Sequence, residues 1–192
     1  MSRAQVHVAH HGAIAVLTLD NPGKRNALSP ALLDELQRHL SALLRAGTRA
    51  AVLTGHGDAA FSAGYDLDAL PEEPDDAWLR DHGPLGPALR ALQALPVVAA
   101  LNGVAVGAGC ELALTCDLRV AHPAVTLQMP PVRLGLIYTP PGLQRLLALA
   151  GAGLTRDLLL TARALPADEA LRAGLLSRVV DAPVVLPTTL LL

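Results

Sequence analysis

The chain has 192 residues, room for one domain with a substantial core and too few for two of ordinary size. A formal net charge of -2, thinly spread Lys and Arg, and an aromatic content of one Trp, two Tyr and one Phe exclude a basic nucleic-acid surface with stacking side chains. Two cysteines, Cys110 and Cys116, match no zinc spacing and build no disulfide framework, and the polar start Met1 to Gly12 lacks the apolar core of a secretion signal, so a cytoplasmic setting is expected.

Along the chain, Val6 to His10 and Ile14 to Leu19 read as a hairpin around His11-Gly12, ended by Asp20-Asn-Pro-Gly23. Ser29 as N-cap and Pro30 in the first helical position open a helix whose stripe is Leu32, Leu33, Leu36, Leu40, Leu43 and Leu44. Ala50 to Leu53, continuing towards Phe61, is a buried strand. Asp75 to Leu95 holds a helix interrupted at Gly83 to Pro87, and Val97 to Leu101 is the next strand. Further strands are expected at Leu118 to Ala121, Leu127 and Ser177 to Val180, and helices at Cys110 to Thr115, Gly142 to Ala150, Leu154 to Leu160 and Ala167 to Ala173. Strand and helix alternate, so the class is α/β. Residues 181–192 form an apolar, proline-interrupted tail without helical spacing, far too short to span a bilayer.

Two glycine-containing turns carry the chemistry. Phe61-Ser-Ala-Gly-Tyr-Asp-Leu67 and Asn102-Gly-Val-Ala-Val-Gly-Ala-Gly-Cys-Glu-Leu112 each follow an apolar strand, and the second runs into a helix start. Glycine permits positive φ and close approach of the backbone, and a helix start offers unpaired amides with partial positive charge. Such turns together can aim two backbone amides at one oxygen, an oxyanion hole. His10 and His11 adjoin the hairpin turn, and His39, His56, His82 and His122 have no carboxylate or second histidine at ligand spacing, so no metal is expected. Asp66 and Asp68 read as caps of the helix after the first turn.

In this order the segments resemble the crotonase superfamily, the enoyl-CoA hydratase and isomerase family, from about Val6 to Val180. Ile14-Ala-Val-Leu-Thr-Leu-Asp-Asn-Pro-Gly-Lys-Arg-Asn-Ala-Leu28 is similar to the family's first strand and coenzyme A turn, and the two glycine turns are similar to its oxyanion-hole segments. The resemblance implies a spiral of ββα units, with the usual C-terminal helical segment shortened or missing. It divides the chain into a core, 1–180, and the tail, 181–192. It implies a homotrimer or dimer of trimers acting on an acyl-CoA thioester, with coenzyme A entering as part of the substrate and no separate cofactor.

Carried over by position, the amides of Tyr65 and Ala108 would hold the thioester oxygen. Lys24, Arg25, Ala27 and Leu28, with Ala63, Gly64, Asp66 and Leu67, would line the coenzyme A end, the two cations near phosphate. Glu111 stands where hydratases of the family carry the first of two catalytic glutamates, and Pro131 replaces the second, which also serves as the base in isomerases. Arg133-Leu-Gly-Leu-Ile-Tyr138 resembles a branch that includes methylmalonyl-CoA decarboxylase, with Tyr138 facing the acyl group, although that branch has histidine in place of Tyr65. Glu111 and Tyr138 are the candidate proton-handling groups. Hydratase or isomerase chemistry through an enolate comes first. Decarboxylation of a malonyl-type ester and a degenerate acyl-CoA binding or assembly subunit stay open beside it.

Overall fold

The computed structural model describes residues 3–72, 75, 78, 83–136 and 138–192. In chain order its elements are β1 (Gln5–His11), β2 (Ile14–Asp20), α1 (Pro30–Arg45), β3 (Ala50–Gly55), β4 (Ala60–Ser62), α2 (Leu85–Leu92), β5 (Val97–Leu101), β6 (Val104–Val106), α3 (Ala108–Thr115), β7 (Leu118–Ala121), β8 (Thr126–Gln128), α4 (Pro140–Thr161), β9 (Ala164–Pro166), α5 (Ala167–Arg172), β10 (Arg178–Val179) and α6 (Val185–Leu190). The strands form a six-stranded sheet, β1-β2-β3-β5-β7-β10, and a four-stranded sheet, β4-β6-β8-β9. The β1–β2 hairpin is antiparallel, and pairing from β2 through β10 is parallel.

Three successive units, β3-β4-α2, β5-β6-α3 and β7-β8-α4, each give one strand to each sheet and then a helix. β3, β5 and β7 lie side by side in one sheet, and β4, β6 and β8 lie side by side in the other. This is a spiral of ββα units, and it brings the β4 and β6 turns to the same end.

Period-two alternation gives the larger sheet two apolar faces. Leu17, Leu19, Leu53, Ala99 and Leu101 point into the main core with Leu32, Leu33, Leu36 and Leu40 of α1, whereas Val16, Val52, Ala100 and Val120 point to the opposite face. The Ser29 hydroxyl accepts the Leu32 N–H at 3.3 Å, the N-cap expected before Pro30. Leu44, counted in the stripe, is 47% exposed, because Leu43 takes the core position in the last turn.

Several elements differ from the sequence reading. β4 belongs to the second sheet and does not continue β3, and β6 lies inside what reads as a single glycine turn. Of the helix read from Asp75 to Leu95 with a break at Gly83 to Pro87, Trp78 is helical in the first part, and the second part is α2, with Gly86-Pro87 in its first turn, where the missing proline N–H has no intrahelical partner to lose. Residues 73–74, 76–77 and 79–82, including His82, lie outside the described residues. The two helices expected at Gly142 to Ala150 and Leu154 to Leu160 are the halves of α4, separated by Gly151 at φ 71°.

The apolar tail is helical. After the 3-10 turn Ala182–Val184, α6 buries Val185 against Val16, Val52, Ala100 and Val120, with Leu186 and Leu190 packed beside them. Thr189 satisfies its buried hydroxyl by donating to Val185 O at 2.7 Å. The helical region after β10 is therefore short, a 3-10 turn and one six-residue helix. Among the described residues no helix is long and apolar enough to cross a membrane.

Candidate active site

Parallel pairing of β4 with β6 sets Ala60 beside Val104 and Ser62 beside Ala105, so the turns that follow them emerge together. Asn102 fixes their register. Its amide donates to Gly57 O at 2.8 Å and Ala60 O at 3.2 Å, and its carbonyl accepts Gly55 N–H at 3.0 Å. At Gly64, φ is +100°, and a Cβ would fall 2.8 Å from Val106 O and 3.7 Å from Ala108 N. Only glycine permits that approach between the two turns.

Leu28 aligns the first turn. It donates its N–H to Gly64 O at 2.7 Å and accepts Asp66 N–H at 3.0 Å, a parallel bridge centred on Tyr65 that turns the Tyr65 N–H to the other edge. Ala108 is the first residue of α3, preceded by Gly107 as N-cap, so its N–H belongs to the unpaired first turn. Both backbone groups of Leu28 are thus engaged in alignment, and Ala63 N–H is held by Arg25 O at 3.0 Å.

The expected coenzyme A loop is built by asparagines. Asn26, at φ 56°, donates to His56 O and Ala60 O at 3.0 and 2.8 Å, and Asn21 donates to Ala27 O at 2.7 Å. Lys24 is held by carboxylates. Its Nζ sits 2.9 Å from both Asp66 carboxylate oxygens and 2.8 Å from Asp68. These hydrogen bonds, Asp68 first, raise the Lys24 ammonium above its ordinary value. Asp66 and Asp68 are accordingly not caps: the 3-10 turn Leu67–Ala69 has no side-chain cap, and both carboxylates hold Lys24. Leu67 is exposed, and Arg25, at φ 49°, lines a cavity of about 480 Å³ with Asp20, Asn21, Asn26 and His56. The proton-handling candidates do not line this cavity.

One turn beyond Ala108, Glu111 is buried at 3% exposure. It accepts the Tyr138 hydroxyl on Oε2 at 2.8 Å, and Arg145 Nη1 lies 3.6 Å from Oε1. Burial raises the carboxyl above its ordinary value, and Tyr138 and then Arg145 pull it back. Burial also holds the Tyr138 phenol well above its ordinary value, with Glu111 adding to the effect. Pro131 begins the 3-10 helix Pro131–Leu134 and offers no proton-transfer group.

Phe61 is a core side chain, fully buried, and Tyr65 instead meets Trp78 edge-on, ring centroids 6.2 Å apart at 80°. Burial raises the Tyr65 phenol, and the Trp78 side chain partly offsets this. Burial of Cys110 pushes its thiol up to about 12, as packing requires. Sequence reasoning missed Asn26, Trp78 and Arg145. An asparagine inside a turn is a recognisable left-handed signal, whereas an arginine on a surface-type helix carries none.

Two adjacent turns after parallel strands, one running into a helix start at Ala108, with the buried Glu111 carboxylate one helical turn on, make up the candidate site. The family profile described as Enoyl-CoA hydratase/isomerase matches residues 9–192. The short-chain-enoyl-CoA hydratase of Clostridium acetobutylicum is 37% identical over 185 residues, which cover 94% of this chain and 70% of that protein. Among solved structures, DspI of Pseudomonas aeruginosa superposes with a TM-score of 0.89 at 34% identity, over 97% of this chain and 72% of that one. A methylmalonyl-CoA decarboxylase in complex with 2-nitronate-propionyl-CoA gives 0.91 at 32% identity, over 97% and 72%. The chain belongs to the enoyl-CoA hydratase/isomerase family, whose enzymes act on acyl-CoA.

Proposed function

We propose that this chain stabilises the enolate of an acyl-CoA thioester between the Tyr65 and Ala108 amides, with Glu111 and Tyr138 moving the proton. The observation that carries the reading is α3 itself: its first amide is Ala108, and one turn later it carries Glu111, hydrogen-bonded to Tyr138 at 2.8 Å. Negative charge on the oxygen grows towards the enolate, so fixed amides favour the transition state over the neutral carbonyl. Hydratase or isomerase chemistry then rests on one carboxylate and a phenol in place of two carboxylates.

Decarboxylation of a malonyl-type ester is the second reading, favoured by Pro131. When the carbon–carboxylate bond breaks, carbon dioxide leaves and the electron pair stays as the thioester enolate, so no base is required. Tyr138 would then deliver a proton to carbon.

The test is purified protein against crotonyl-CoA, a 3-enoyl-CoA and methylmalonyl-CoA, with products resolved by mass. Turnover of the first or second supports the first reading, and carbon dioxide from the third, lost in Tyr138→Phe, supports the second. Binding of all three without turnover makes the chain an acyl-CoA binder and sinks both. Ala108→Pro isolates the hole, because proline is tolerated at the first helical position yet has no N–H. A fall in kcat of roughly 100- to 1000-fold is expected, with melting unchanged. A folded variant of full activity would remove Ala108 from the mechanism. Coenzyme A would bind along Lys24, Arg25, Ala27, Leu28, Ala63, Gly64, Asp66 and Leu67, Lys24 exchanging a carboxylate for phosphate. A homotrimer or dimer of trimers is the expected assembly, read by sizing with light scattering.

A further inference from the structure

We propose that Arg145 is a positioning residue that holds the Glu111 carboxylate in its buried place by standing against the oxygen Tyr138 leaves free. Its catalytic consequence rests on the role proposed for Glu111; the pairing itself does not. Gly142 and Arg145 are three residues apart on α4 and share a face. A Cβ at Gly142 would fall 2.6 Å from Glu111 Oε1 and 2.5 Å from the Tyr138 ring, so the missing side chain lets α4 close on Glu111. The next turn then brings Arg145 Nη1 to 3.6 Å from Oε1.

That separation is too long for a direct hydrogen bond, and Nη1 is buried without one. The attraction is therefore that of charge. A donor left unmade in a buried place costs stability, and a buried carboxylate without a counter-charge takes up a proton. With Tyr138 on Oε2 and Arg145 facing Oε1, Glu111 is fixed from both sides. Of the groups that pull the Glu111 carboxyl back towards its ordinary value, Tyr138 acts through its hydrogen bond and Arg145 through its charge. β4 and β6 present Ala60, Phe61, Ser62, Val104, Ala105 and Val106 to α3, and α2 buries Leu85, Ala88 and Leu92 and carries Arg90 in its last turn. On α3 itself the neighbouring titratable group is the buried Cys110 thiol.

The test is the titration of Glu111 by carbon NMR in protein labelled at glutamate carboxyl carbons, its resonance identified by loss in Glu111→Gln. In Arg145→Gln the midpoint should rise by about one pH unit, tenfold in the proton equilibrium, while Arg145→Lys stays near the parent. The acid limb of kcat/KM should move up with it. A midpoint that is the same in all three proteins overturns the proposal. If Arg145→Gln does not hold its fold, Arg145→Ala is titrated with and without methylguanidinium. A midpoint restored by the cation supports the pairing, and one indifferent to it overturns it. A shifted midpoint without turnover of any ester supports the pairing and counts only against the proposed reaction.

Discussion

Glu111 is an expensive residue where it stands. Its 3% exposure removes water from a carboxyl that one phenol and one distant guanidinium compensate incompletely, which is why the carboxyl lies above its ordinary value of 4.5. Between that value and the raised one, the folded chain binds more protons than the unfolded chain. Its stability contribution is full below the unfolded value and is lost as pH rises through the folded one. Glu111→Gln keeps an acceptor for Tyr138 and removes the charge. The variant should melt higher than the parent at pH 8, with the difference vanishing below about pH 4. A difference that stays constant from pH 4 to 8 in thermal melts would mean that Glu111 titrates normally. The same substitution should lower kcat by roughly 100-fold or more if Glu111 handles the proton.

Turns and helices decide whether the two amides meet. Neither glycine turn is held by its own sequence alone: Asn102 ties the second to Gly55, Gly57 and Ala60, and Leu28 ties the first through Gly64 and Asp66. Gly64 is constrained twice, by its positive φ and by Val106 O standing 2.8 Å from where a Cβ would fall. Gly64→Ala should cost about 1 to 3 kcal/mol in urea unfolding from backbone strain. It should also move the Tyr65 amide off target, reducing kcat more than KM rises, and a KM effect alone would place the damage in coenzyme A binding. The motif Phe61 to Leu67 was legible because glycine after a strand is a strong local sign. β6 was not legible, because three residues between glycines show too little periodicity to separate a strand from a turn.

At the scale of the whole molecule, the spiral leaves one face of the larger sheet to be covered by whatever follows β10. Here α6 covers it, with Val185 at 4% exposure on Val16, Val52, Ala100 and Val120. Burying a valine is worth about 1.5 to 3 kcal/mol, and a charge in its place adds desolvation. Val185→Asp should therefore destabilise the chain by about 3 kcal/mol in urea unfolding. A change below about 0.5 kcal/mol would show that the tail is not part of the core. The proline-interrupted sequence hid this helix, since its apolar residues are arranged to meet a sheet whose outer face is known only once the strands are ordered.

The amino-acid sequence by itself determined the alternation of strand and helix, the two glycine turns, the N-cap at Ser29 and the family, because these depend on neighbours a few residues apart. Only the tertiary structure decided that β4 and β6 share a second sheet, that Lys24 is held by Asp66 and Asp68, and that Arg145 stands behind Glu111. Those contacts join residues 42, 44 and 34 positions apart, beyond the reach of any local pattern. They exist because parallel ββα units close distant turns against one another.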